Sequence, residues 1–147
     1  RVRELKRRSN TPRIRRLLRL ETRRSREGFS RIAGVDEAGR GPLAGPVVAG
    51  AVILTDPSFT VRVDDSKKLT PRQREAAFLE IVRKAIVGIG IVDEKTIDAI
   101  NIHRATCRAM ELAVANLDAP PGYILVDGTM KIAFTCPSRS VIRGDGL

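Results

Sequence analysis

Two apolar runs, joined by a connection rich in glycine and proline, constrain the fold of this chain more than any other feature. Residues 32–36 read IAGVD, and residues 47–54 read VVAGAVIL without a polar side chain. A continuous apolar run of this length is typical of a strand in a sheet whose two faces are covered. Gly50, within the second run, predicts a bulge or a close backbone approach. The chain is therefore expected to build its core on a β-sheet.

The start of a helix is predicted at residue 70. Thr70 can cap, Pro71 suits the first turn, and Gln73 completes a capping box. The apolar side chains that follow recur at helical spacing: Phe78, Ile81, Val82 and Ala85. Before this amphipathic helix, residues 59–63 alternate apolar and polar side chains, which indicates a short edge strand or an extended loop.

The second half of the chain adds further strands and a jointed helix. Residues 86–92, 123–127 and 140–143 have strand character, and residues 96–116 have helical periodicity with a joint near Asn101. Two strands, a helix, a strand, a helix and two strands favour a mixed sheet with helices packed on it. The length of 147 residues fits one globular α/β domain.

The positive charge is concentrated at the N-terminus. Residues 1–31 contain 13 Lys and Arg against 3 Asp and Glu, which equals the whole net charge of +10. Such a cluster can bind nucleic-acid phosphates by releasing counterions. It can equally be a solvated amphipathic helix that Thr11 caps and that packs Ile14, Leu17 and Leu18. Both interpretations of the arm remain open.

Cysteine chemistry, membrane insertion and secretion are not expected. Cys107 and Cys136 form no C-x-x-C motif, and His103 is the one histidine, so reduced, buried thiols and a solvent-facing histidine are predicted. No apolar stretch is long enough to cross a membrane, and no secretory signal pattern is present. We therefore expect a cytoplasmic protein without a membrane partner.

Acidic residues follow two of the predicted strands. If the strands that end at Asp36 and Asp127 are neighbours and parallel, both carboxylates emerge at one edge of the sheet. Close carboxylates raise each other's pKa unless a multivalent cation holds them, and oxygen ligands favour Mg²⁺ or Mn²⁺. Glu37 can join them if the strand ends at Asp36 and Ala38 and Gly39 bend the chain. The alternative is an acidic strand end in solvent.

The connection at residues 38–46, AGRGPLAGP, does not match two common phosphate-binding motifs. Its glycine spacing leads into a strand rather than a helix, which excludes a dinucleotide fingerprint, and it lacks the Gly-Lys-Ser/Thr end of a P-loop. A glycine-rich bend lets Gly39 and Gly41 approach a small group such as a ribose hydroxyl, and Arg40 can pair with a phosphate. The alternative is a tight structural turn with Arg40 in solvent.

The segment GVDEAGRGPLAGPVV resembles the signature of the ribonuclease HII family, the type 2 ribonucleases H. Four further segments follow in the family's order: DSKKLTP at 65–71, NIHRAT at 101–106, VDG at 126–128 and RGD at 143–145. The resemblance implies an RNase H-like α/β fold, a mixed five-stranded sheet with flanking helices whose C-terminal helices are missing. Because the match begins at about residue 28, the chain is predicted to consist of a basic, helical arm at 1–28, as the charge and periodicity indicate, and an incomplete catalytic domain at 29–147.

The resemblance also implies an activity and its residues. A family member degrades the RNA strand of RNA–DNA hybrids and incises duplex DNA 5′ of single ribonucleotides, as a two-metal hydrolase that uses Mg²⁺ or Mn²⁺ and leaves 3′-hydroxyl and 5′-phosphate ends. The implied catalytic residues and metal ligands are Asp36, Glu37 and Asp127. The implied substrate-binding residues are Gly39, Arg40, Gly41, Lys67 and Asn101. A solvated Lys67 and a helix-capping Asn101 are the structural alternatives.

The expected partners are RNA–DNA hybrids and ribonucleotide-containing duplex DNA, bound by a monomer that acts in DNA replication and repair. The family's fourth catalytic aspartate and a stacking tyrosine would lie beyond Leu147, so we expect a fragment with weak or no activity alone. A rival interpretation is a non-catalytic nucleic-acid-binding module, or an inactive fragment, driven by the basic arm.

Overall fold

The computed structural model of the chain describes residues 18–40 and 44–142. The helix predicted from Thr11 begins outside these residues, and Gly41 and the segment 143–145 also lie outside them. The described residues form two compact units: a first unit of 18–28 and 54–85, and a second unit of 29–40, 44–53 and 86–142. In the described part of the chain, no helix has the length and apolar character that crossing a membrane requires.

The first unit contains two helices and a short 3-10 turn in its described residues. Helix α1 spans Arg19–Arg26, the turn spans Ser66–Lys68, and helix α2 spans Pro71–Lys84. The predicted capping box is present at the start of α2. The Gln73 amide N–H donates to Thr70 Oγ1 at 3.3 Å, and the Thr70 amide N–H donates to Gln73 Oε1 at 2.9 Å.

The apolar stripe predicted on α2 is largely uncovered, and its last member, Ala85, is the first residue of the following strand rather than part of the helix. Ala77 is buried in this helix, whereas Phe78 is 60% exposed and Val82 is 41% exposed. Helical periodicity reports which residues share a face, and the burial of that face depends on what packs against it. The sequence therefore predicted the helix correctly but not the exposure of this stripe.

Residues 59–63 form an extended loop and no strand, so the edge-strand interpretation is wrong. The Glu80 carboxylate, on α2, accepts hydrogen bonds from the Thr60 amide at 2.8 Å, the Thr60 hydroxyl at 3.0 Å and the Val61 amide at 2.9 Å. Backbone donors that a neighbouring strand would satisfy are thus satisfied by a helix side chain.

Lys84 completes this attachment of the loop to α2. Its ammonium group lies 2.8 Å from Glu80 Oε1, donates to the Ser58 carbonyl and lies 5.7 Å from the centroid of the Phe59 ring. The Glu80 side chain is 11% exposed, so its pair with Lys84 is largely shielded from water.

Replacing Glu80 with Gln tests this attachment. Burial raises the pKa of Glu80, but hydrogen bonds from Lys84, Thr60 and Val61 outweigh burial and lower the pKa from 4.5 to about 2. The ionised carboxylate therefore stabilises the protein above pH 4.5, and this stabilisation is lost as the pH falls towards 2. We predict that Glu80→Gln lowers the free energy of unfolding by about 1–2 kcal/mol at neutral pH, and that the difference shrinks on acidification.

Urea unfolding at a series of pH values measures this effect. Glu75→Gln, which alters an exposed residue of the same helix, is the matched control and should change the unfolding free energy little. An equal loss of stability in the two variants would contradict a specific role for Glu80.

The second unit is built on the mixed five-stranded sheet that the sequence predicted. Its strands are β1 (Ile32–Ala38), β2 (Val47–Leu54), β3 (Ala85–Val92), β4 (Tyr123–Asp127) and β5 (Ser138–Val141). The order of the described strands is β3-β2-β1-β4-β5, with β1 antiparallel to β2 and parallel to β4, and β4 parallel to β5.

Three details of the strands differ from the predictions. Strand β1 continues to Ala38, two residues past the predicted end at Asp36, because β2 pairs with it as far as Ala38↔Val48. Strand β5 begins at Ser138, earlier than predicted. Gly50 is paired with Asp36 in a regular ladder, and an added Cβ there would meet no atom within 4 Å. Gly50 therefore marks neither a bulge nor a close approach.

Two helices follow β3, with the joint where the sequence placed it. Helix α3 spans Glu94–Ile100 and helix α4 spans Ile102–Ala115. Between them Asn101 has φ 70°, a left-handed conformation that asparagine tolerates better than most residues. The Asn101 side chain accepts a hydrogen bond from the Arg104 amide at 3.1 Å and so caps α4.

Helix α4 packs directly on two glycines of β3. A Cβ on Gly88 would lie 2.1 Å from the Ala113 carbonyl oxygen, and a Cβ on Gly90 would lie 2.0 Å from that of Ala109. The side chains of Ala109 and of Met110, a predicted core residue, are fully buried. Only glycine in the strand allows the helix backbone to approach this closely.

The cysteines and the histidine are peripheral to this core. Cys107 and Cys136 are unpaired, as predicted, but they are half-buried rather than buried. Burial raises the pKa of both thiols, which favours the neutral form. His103 is exposed on α4, as predicted.

Substitution of Gly90 tests the close packing of α4. We predict that Gly90→Ala lowers the free energy of unfolding by about 3 kcal/mol, because the added methyl group forces the helix backbone away from the strand. Gly50→Ala is the control, since its methyl group would enter open space. Denaturant unfolding of both variants measures the effect, and a Gly90→Ala protein as stable as Gly50→Ala would contradict the packing.

Candidate active site

Asp36 and Asp127 directly follow the last residue pair of the parallel ladder between β1 and β4. That pair is Val35↔Val126, so the aspartates leave neighbouring strands at the same edge of the sheet. Val35 and Val126 are buried on one face, and side chains alternate along a strand. Both carboxylates therefore lie on the opposite face, where both residues are exposed.

The electrostatics of Asp36 reflect this arrangement. Although Asp36 is exposed as a residue, partial burial of its carboxyl group raises its pKa most, whereas the Glu37 backbone N–H, which donates to Asp36 Oδ1 at 2.8 Å, lowers it. The negative charges of Asp127 and Glu37 raise this pKa further. The net pKa is raised, as expected for carboxylates whose repulsion a bound cation would relieve.

Glu37 is directed towards Arg40. Because β1 continues to Ala38, the Glu37 side chain starts from the face opposite to that of Asp36. Its Oε1 lies 3.2 Å from Arg40 Nη1, and the side chain is 18% exposed. The prediction that the strand ends at Asp36 is therefore wrong, because the bend follows at Gly39.

The described residues contain no group of three or more His, Cys, Asp or Glu side chains arranged to hold a metal ion. They do place Asp36 and Asp127 on one face, with Glu37 close enough to affect the pKa of Asp36. Carboxylate oxygens suit a hard divalent cation such as Mg²⁺ or Mn²⁺, so the donors fit this class of ion.

Gly39 is required by the turn that follows β1. Its φ is 91°, and a Cβ on it would lie 2.6 Å from the Pro46 carbonyl oxygen. The structural interpretation of this turn is therefore sufficient to explain glycine here. Arg40 is not simply solvated, since it pairs with Glu37 and lies near enough to the Cys107 thiol to lower its pKa, against burial and Glu111.

The sheet face beside Asp36 is lined by glycine. Gly34 precedes Asp36 by two positions on the same face of β1, and Gly50 pairs with Asp36 from β2. An added Cβ at either glycine would meet no atom within 4 Å. This position of Gly34 was not predicted; a glycine two positions before an acid in a strand is the sequence signal that indicates it.

The two remaining predicted site residues that the structure describes lie away from the ends of β1 and β4 in sequence. Lys67 belongs to the first unit, where it is exposed and its amide N–H donates to Asp65 Oδ1 at 3.1 Å. Asn101 belongs to the second unit, where it is exposed and caps α4. Neither contact tests a role in substrate binding, and both roles remain predictions.

Comparison with known proteins gives concordant matches. The family model for ribonuclease HII matches residues 33–143. A curated ribonuclease HII from Geobacter sp. strain M21 is 52% identical over 132 residues, and one from Acetivibrio thermocellus is 55% identical over 119 residues. These alignments cover 89% and 80% of this chain but 57% and 46% of the relatives. The chain thus spans about half the length of the curated relatives it matches.

Solved structures share the fold. The ribonuclease H2 from Pyrococcus horikoshii OT3 superposes with a TM-score of 0.64 at 28% identity, over 78% of this chain and 63% of that protein. A chain of the PCNA:RNase HII complex from Archaeoglobus fulgidus gives a TM-score of 0.64 at 23% identity, over 79% of this chain and 64% of that one. With the family model covering most of its length and relatives more than half identical, the chain belongs to the ribonuclease HII family.

Proposed function

We propose that the protein containing this chain is a metal-dependent endoribonuclease that cleaves the RNA strand of RNA–DNA hybrids and incises duplex DNA 5′ of single embedded ribonucleotides. The family supports the class of reaction. The observation that carries the proposal is the position of Asp36 and Asp127 directly after the last pair of the β1–β4 ladder. Two carboxylates at such an edge provide the anionic centre that phosphodiester hydrolysis by a two-metal mechanism needs.

Asp36, Asp127 and Glu37 are proposed as the ligands of Mg²⁺ or Mn²⁺. When bound, two such cations supply an activated water molecule and neutralise charge on the leaving 3′ oxygen, so that cleavage leaves 3′-hydroxyl and 5′-phosphate ends. Asp36 and Asp127 hold the cations from one face of the sheet. Glu37 contributes its carboxylate by exchanging its pair with Arg40 for the same centre.

The turn after β1 is proposed to bind the substrate. In the described structure Arg40 neutralises Glu37, and release of Glu37 frees the guanidinium to form charge-assisted hydrogen bonds with a phosphate. The backbone of Gly39 and Gly41 is proposed to approach the ribose and detect its 2′-hydroxyl, which distinguishes RNA from DNA. Lys67 and Asn101 are proposed to contact the nucleic-acid backbone.

Substitution of the two aspartates tests this function. We predict that Asp36→Asn and Asp127→Asn, made in the complete protein, each reduce cleavage of a duplex with one embedded ribonucleotide by at least about 100-fold, because each removes a ligand charge at the reacting centre. Cleavage of an end-labelled duplex in Mg²⁺ measures the rate, and the mobility of the products identifies their ends.

Asp118→Asn, which alters an exposed aspartate outside the candidate site, is the matched control and should retain the parental rate. Binding of the same duplex in EDTA, measured alongside, should survive both active-site substitutions. Cleavage that continues in EDTA, or a rate within a few-fold of the parent for Asp36→Asn, would overturn the proposed function.

A further inference from the structure

Helix α1 carries a row of arginines that the proposed reaction does not use. Arg19, Arg23 and Arg26, here named the arginine stripe, are spaced i, i+4 and i+7 and so share one side of the helix. All three are exposed, as is Thr22 between them. The first and last arginines are seven residues apart, so the stripe is about 10 Å long along the helix axis.

Of the acids that the structure describes on and next to α1, Glu21 is half-buried, and Glu27 pairs with the stripe only at Arg23. Glu27 forms its close pair with Arg24, whose Nη1 lies 2.5 Å from Glu27 Oε2. Arg24 is half-buried on the other side of the helix, with a side chain that is 15% exposed. Arg23 is 68% exposed and lies 3.4 Å from Glu27, a surface pair that a stronger anion can replace. The outward side of α1 therefore presents three guanidinium groups to solvent.

We propose that the arginine stripe binds the phosphate backbone of the duplex substrate without any metal ion. The identity of the substrate rests on the proposed function. One strand of a duplex carries a charge about every 3.4 Å along the axis, so a stripe of about 10 Å spans about three such intervals and lets its three guanidinium groups reach phosphates of one strand. Arginine suits this role, because its planar guanidinium donates two hydrogen bonds to one phosphate.

The distribution of charge supports a role in affinity rather than in fold. Residues 1–31 hold 13 of the 27 Lys and Arg, and the remaining residues are balanced at 14 basic and 14 acidic side chains. Long-range attraction to a polyanion is thus concentrated in the segment that includes α1. Binding by counterion release is independent of sequence, which suits an enzyme that must find a ribonucleotide in any context.

Two other anionic partners fit this surface less well. A helix that lies on a lipid bilayer inserts an apolar side, but the exposed residues of α1 are arginine, threonine and serine. A site for single strands would use aromatic side chains to stack bases, and α1 contains none. The chemistry of the stripe therefore favours the backbone of a duplex.

The test is the salt dependence of binding in the complete protein. The triple variant Arg19→Gln, Arg23→Gln, Arg26→Gln is compared with a control that removes the same charge elsewhere: Arg83→Gln, Lys95→Gln, Arg108→Gln, all exposed in the described structure. Fluorescence anisotropy follows binding of an RNA–DNA hybrid in EDTA between about 50 and 200 mM salt. Circular dichroism and thermal unfolding verify that both variants remain folded.

The slope of log K against log salt is negative, and each phosphate contact contributes about 0.9 to its magnitude. We predict that the stripe variant reduces this magnitude by about 2–3 and weakens binding at least about 10-fold near 0.1 M salt. The control should change the slope by less than about 1. Vesicles containing phosphatidylserine should not compete with the hybrid.

An unchanged slope, or equal changes in both variants, would overturn the proposal. Tighter binding to the vesicles than to the hybrid, lost in the stripe variant, would also overturn it in favour of a membrane surface. Because binding is measured without metal, its outcome is independent of cleavage. If the stripe variant loses salt-dependent binding but the parental protein does not cleave the hybrid, only the proposed function is refuted. If the parental protein cleaves the hybrid but the slope is unchanged in the stripe variant, only this inference is refuted.

Discussion

The parallel pairing of β1 with β4 is the constraint on which the candidate site depends. Its register, Val35↔Val126 as the last pair, sends both valines into the core and both following aspartates to the opposite face. A shift of one residue would move either carboxylate to the other face. Helix α4 packs on the core face, where its buried side chains join Val35 and Val126 in one cluster and Gly88 and Gly90 of β3 allow contact at backbone distance. The core and the chemistry are therefore specified by the same ladder.

The site has an electrostatic cost that points to its use. The pKa of Asp36 is raised by burial and by the charges of Asp127 and Glu37, so the ionised cluster destabilises the fold when no cation is bound. The pair between Glu37 and Arg40 relieves part of this repulsion. Gly34 and Gly50 leave the adjacent face open, where bulkier side chains would give more apolar burial. These features lower the stability of the fold but leave a charged centre accessible at the sheet face.

Features set by short-range chemistry could be predicted from the sequence. The capping box at Thr70, the joint at Asn101 and the two aspartates that follow buried strand residues depend on neighbouring residues or on strand periodicity. The choice between a strand and a loop at 59–63 could not be made from the sequence, because Glu80, which binds this loop, lies about twenty residues away. The direction of the Glu37 side chain could not be predicted either, because it depends on how far along β1 the pairing with β2 continues.

The central claim is that Asp36 and Asp127 form one divalent-cation site, and paramagnetic broadening by Mn²⁺ tests it most directly. In a nuclear magnetic resonance titration, substoichiometric Mn²⁺ should first broaden the amide signals of residues 35–37 and 126–128, and Asp127→Asn should abolish that broadening. Broadening centred instead on the acidic pair at Asp64 and Asp65, or broadening at 35–37 that persists in Asp127→Asn, would contradict a shared site.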